Sequence, residues 1–103
     1  MSALHVLTLD PAIEQNLMQS VRNAEATSTL VVDPKFAEQL LGRLSAQADK
    51  MMKGNMLPVL LCSPDLRRHL RALSERVIPH MRILSMAEIP NTINLKAYAT
   101  ISL

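Results

Sequence analysis

Apolar residues in this chain fall into short runs and helical stripes, and the boundary between the two repeats. Leu4 to Leu9 is a largely apolar run that ends in Asp10-Pro11. Leu30 to Val32 ends in Asp33-Pro34, and Val59 to Cys62 ends in Ser63-Pro64. Each junction places an oxygen-bearing side chain where a helix needs an N-cap. A proline follows at the first helical position, where an amide would have no partner anyway. The repeat predicts strand-to-helix units.

The stretches after each junction carry the helical period. Ile13, Leu17, Met18 and Val21 mark one face of a first helix from about Pro11 to Ala24. Phe36, Leu40, Leu41, Leu44, Ala48, Met51 and Met52 mark a longer second helix. Lys50 and Lys53 suit its last turn, and Gly54 suits its end. Leu66, Leu70, Leu73 and Val77 mark a third helix stopped by Pro79.

The strands differ in character. Val59 to Cys62 is apolar on both faces, as a central parallel strand covered on both sides would be. Met81 to Leu84 is a short run that can lie beside it. The last segment alternates, with Leu95, Ala97, Ala99 and Ile101 against Lys96, Tyr98, Thr100 and Ser102. Alternation predicts an edge strand with one wet face. The link from Glu88 to Asn94 is too short for a helical crossover, which predicts a strand antiparallel to its predecessor in sequence. The expected fold is a single α/β domain over residues 1–103, in the order β-α-β-α-β-α-β-β. Its sheet is mostly parallel with an antiparallel C-terminal edge strand, and helices pack on it.

Composition adds limits. Hydrophobic residues make up 49% of the chain and aromatic residues 2%, so the core must be aliphatic. A net charge of +2 lacks the concentrated basic surface of a nucleic-acid binder. Cys62 is the single cysteine, which rules out an intrachain disulfide and fits a reducing compartment. No apolar run approaches the roughly 20 residues that span a bilayer, and no signal peptide is visible. The chain reads as soluble and cytoplasmic, without direct membrane contact.

Catalytic chemistry finds little support. His5, His69 and His80 show no metal-ligand spacing. Cys62 ends a predicted central strand, where α/β folds do place nucleophiles, yet Ser63-Pro64 supplies no glycine for a nucleophile elbow. A small buried hydrophobe is the simpler reading. The βα turns lack glycine, so the backbone cannot approach a pyrophosphate closely. No catalytic residue, metal or cofactor is expected.

The third helix carries the one notable charge cluster: Arg67, Arg68, His69, Arg71 and Arg76, with Arg82 beyond. A solvated helix face would explain it, with Arg68 and Glu75 offsetting each other. A partner surface is the alternative, because guanidinium groups bind carboxylates in a bidentate fashion. Arg67, Arg68 and Arg71 are therefore the candidate protein-contact residues. RNA is less suited, since no aromatic residue interleaves the arginines.

Two stretches, Leu7-Thr8-Leu9-Asp10-Pro11 with Ile13-Glu14, and Pro58 to Arg67, resemble the C-terminal part of the FlhA family of flagellar and virulence type III export gates. Ile83-Leu84-Ser85-Met86-Ala87-Glu88-Ile89-Pro90 is similar to another motif of that family. The resemblance runs from about Leu4 to the end, and the stretch from Cys62 to Arg67 favours the flagellar branch. It implies the last cytoplasmic subdomain of a larger inner-membrane protein. The implied partners are neighbouring subdomains, other copies in a ring, chaperone–substrate complexes and export ATPase components. An independent protein- or nucleic-acid-binding adaptor using the third helix is the alternative, and a small enzyme with Cys62 as nucleophile is a third.

Overall fold

The computed structural model describes residues 3–27 and 32–103, with the side chains of 23–27 left aside. β1 (Ala3–Leu9) leads into α1 (Pro11–Thr27) and α2 (Pro34–Lys53). β2 (Val59–Cys62), α3 (Pro64–Ser74), β3 (Arg82–Ser85) and β4 (Asn94–Ile101) follow. All three helices begin at the proline of an expected junction. The expected strand at Leu30–Val32 lies outside the described residues except for Val32, which is in no strand.

The two aspartate caps share one solution and the serine junction has another. Asp10 Oδ1 accepts from Ala12 N at 2.9 Å, and Asp33 Oδ1 accepts from Lys35 N at 3.2 Å. Ser63 makes no side-chain cap, and its buried Oγ has no partner among the described residues. α3 starts instead on Pro64 and on the Leu66 N to Ser63 O hydrogen bond of 3.1 Å. Replacing Asp33 by Ala should cost about 0.5–2 kcal/mol in a denaturant melt. Unchanged stability would show that water serves those amides equally well.

At the end of α2 the left-handed position falls on Asn55 (φ 58°), not on Gly54. Met56 N donates to Met51 O at 2.8 Å and Asn55 N to Met52 O at 3.0 Å, the pair of bonds that closes a Schellman motif. α3 stops sooner than the apolar stripe suggests. The chain turns after Ser74, leaving Val77 55% exposed while Ile78, 5% exposed, takes the core place. Ile78 N bonds back to Ser74 O at 2.7 Å, which fixes that turn.

The sheet order is β3-β2-β1-β4. β2 is central as expected, and β4 is an edge strand. Its direction differs from expectation: β4 runs parallel to β1, so the described sheet is parallel throughout. The reason lies in the link. Residues 86–93 do not turn back beside β3 but carry the chain to the opposite edge of the sheet.

This route also decides what covers each face. The crossovers β1 to β2 and β2 to β3 step in the same direction, so crossovers of one hand lay the helices on one face. There Leu7, Leu60, Cys62 and Ile83 meet Ile13, Leu17, Leu40, Leu44, Leu66 and Leu70. The link from β3 to β4 steps back the other way, and one hand then requires the opposite face. Ile89 of that link does pack against the second cluster, built on Val6, Val59 and Leu61.

β4 contains a second departure. Val6 pairs with Ala97 but Leu7 pairs with Ala99, so Tyr98 is an extra residue in the ladder. Such a bulge reverses the side-chain alternation beyond it. Leu95 and Ala97 therefore share a face with Leu4 and Val6, whereas Ala99 and Ile101 join Leu7 and Leu9 beneath the helices. The four residues do not form one face.

Candidate docking site

α3 turns its arginines to two sides. Arg67 and Arg71, one helical turn apart, face β3 across a groove of about 890 Å3. Arg82 of β3, Glu75 and His80 line the same groove. Arg68 lies on the other flank, in a smaller hollow with Arg22, Asp65 and His69. The structure thus brings Arg67 and Arg71 together and separates Arg68 from them. Arg68, Arg71 and Arg82 are exposed, and among the described residues no carboxylate lies within ion-pairing distance of them.

Arg67 is already engaged. Its Nε lies 2.6 Å from Glu88 Oε1, an ion pair. The same Glu88 oxygen accepts from Ser85 N at 2.9 Å. That amide bond holds the Glu88 carboxyl below the usual carboxylate range, with Arg67 adding to the effect. The depressed value means that the contact is intact above the ordinary carboxylate pKa and is lost as pH falls. Glu88 thus clasps the start of the β3–β4 link to α3. The pairing is not legible from charge spacing, but Ser85-Met86-Ala87-Glu88 carries the S-x-x-E capping signature that points to the amide contact.

Cys62 is 2% exposed, beneath α3. Burial pushes its thiol up to about 11, Glu14 adds to this, and Arg67 acts the other way. The thiolate needed by a nucleophile is therefore scarce at neutral pH. We expect an alkylating reagent at pH 8 to leave Cys62 unmodified in the folded protein and to modify it rapidly in denaturant. The raised folded value also means that the neutral thiol's stabilising contribution is full below pH 9 and is lost as pH rises towards 11. A Cys62→Ala variant should lack that part of the alkaline loss. Rapid native alkylation would contradict the burial.

His5 is on β1 and His69 on α3, both half-buried, while the exposed His80 sits at the mouth of the groove. Among the described residues no group of three or more His, Cys, Asp or Glu is placed to hold a metal ion. No helix there is long and apolar enough to cross a membrane.

The fold is thus a small α/β domain with a basic groove beside a sheet edge, and comparison with known proteins gives it a family. The sequence model of the FHIPEP family matches residues 1–94, and the chain belongs to that family. It is 23% identical over 100 residues to the flagellar biosynthesis protein FlhA of Bacillus subtilis (strain 168), covering 97% of this chain and 15% of that protein. Among solved structures, the nonameric EPEC SctV-C superposes with a TM-score of 0.76 at 29% identity, covering 97% of this chain and 29% of that one. The Chlamydia pneumoniae CdsV and CdsO complex gives 0.75 at 30% identity, covering 99% and 30%. The chain therefore corresponds to an FlhA-like subdomain and spans a small part of the proteins it matches.

Proposed function

We propose that this chain is a non-catalytic docking and regulatory subdomain of a flagellar-type protein export gate. It contributes to the cytoplasmic platform that receives chaperone–substrate complexes and export ATPase components. Membership of the FHIPEP family over residues 1–94 carries this reading. The nonameric SctV-C supports a ring of copies, and the CdsV–CdsO complex supports a protein partner at such a platform. The basic groove gives the surface a chemistry suited to acidic partners. As one unit of a larger inner-membrane protein, it would lie on the cytoplasmic side.

The test is removal of residues 1–103 from the full-length gate. The truncated protein should still reach the membrane but should lose capture of ATPase components or chaperone–substrate complexes in pull-downs from solubilised membranes. Full capture of both would overturn the reading.

A further inference from the structure

We infer that the groove between α3 and the open edge of β3 docks an extended, acidic peptide segment of a partner protein, added to the sheet as a fifth strand. Two independent observations converge on this occupant, and neither depends on the export reading. The first is backbone geometry. Arg82 N donates to Pro58 O at 2.9 Å, so Arg82 turns its peptide groups inward to β2. By strand alternation Ile83 and Ser85 turn theirs outward. Glu88 takes the Ser85 amide at 2.9 Å, which confirms that direction. Among the described residues β3 has β2 as its one neighbour in the sheet, so the Ile83 N–H and C=O stand at the open edge. A donor and an acceptor on one edge residue are what an antiparallel strand pairs with.

The second observation is charge. Among the described residues Arg71 and Arg82 flank that edge without ion-pair partners and Glu75 is the one acid lining the groove. Arg67, clasped by Glu88, frames the groove rather than reading the ligand. Carboxylates on alternate positions of an added strand would point to the α3 side, within reach of the Arg71 guanidinium, while Arg82, on the other side of β3, lines the edge along which the strand approaches. A helix has no spare backbone groups to offer the Ile83 edge. A second copy pairing edge to edge would bring these arginines against their own mates. A nucleic acid would find no aromatic platform, because Phe36 and Tyr98 both lie outside the groove.

The probe is a labelled short peptide alternating Glu and Val, followed by anisotropy and by the Ile83 amide resonance of the 103-residue chain. It should bind, shift that resonance, and weaken with added salt. The exposed double variant Arg71→Glu/Arg82→Glu should fold normally and bind at least roughly tenfold more weakly. Methylating alternate backbone nitrogens of the peptide, which removes its edge donors, should weaken binding comparably. No detectable binding, or equal affinity for the charge-reversed variant, would overturn the proposal. So would equal binding of a helical Glu/Ala peptide or of a single-stranded oligonucleotide.

Discussion

Truncating Leu60 to Ala should destabilise the protein by about 2–5 kcal/mol, and Leu61→Ala should cost an amount in the lower part of that range. The two residues are adjacent on β2 but belong to different clusters. Leu60, fully buried, lies under the three helices, and Leu61, 8% exposed, packs on the face crossed by the link. Each truncation loses the transfer energy of the removed methyl groups and leaves a cavity that a central strand cannot collapse to fill. The second face is less thickly covered and can relax further, which sets the order. Denaturant melts of both variants measure it. A marginal effect for Leu61 would mean that the link does not seal that face.

Deleting residues 91–93 from the link should release β4, with loss of hydrogen-exchange protection along Asn94–Ile101 and a stability loss of at least about 2 kcal/mol from Ile101 alone. The estimate follows from distance. The link must cross three inter-strand spacings, about 14 Å, while descending from the level of Leu9, where Ser85 stands, to that of Ala3, about 20 Å, a diagonal of about 24 Å. Fully extended, the shortened link reaches about 20 Å and falls short. Even with the turn at Met86–Glu88 and the Glu88–Arg67 clasp melted, it could close only by pulling residues out of β4. A hairpin between antiparallel neighbours would tolerate the same deletion, since two to five residues suffice there. Protected β4 amides in the deletion variant would contradict the parallel edge.

That contrast marks where the sequence stopped being legible. Asp10-Pro11, Asp33-Pro34 and Ser63-Pro64 announce helix starts through local chemistry, and each helix begins at its proline. The unbroken apolar run of β2 reports burial on both faces, and both clusters draw on it. The direction of β4 is different, because link length constrains direction only when the next strand in sequence is also the next in space. Here it is not. The bulge at Tyr98 leaves no local mark, as Leu95, Ala97, Ala99 and Ile101 alternate without a break in sequence. The candidate site divides in the same way. Its arginines are legible as a cluster on one helix. The separation of Arg68 from Arg71, the recruitment of Arg82 and the capture of Arg67 by Glu88 depend on how β3 and the link pack beside that helix.

The role proposed for the arginines of α3 is a protein contact in an export gate rather than solvation. The most direct measurement is secretion by cells whose full-length gate carries Arg68→Glu and Arg71→Glu, one reversal on each flank of the helix. Both positions are exposed, so the fold should hold within about ±0.5 kcal/mol. A marked fall in exported substrate, and in motility for a flagellar gate, is expected at an unchanged level of gate protein. Normal secretion at a normal protein level would return these arginines to the role of a solvated helix face.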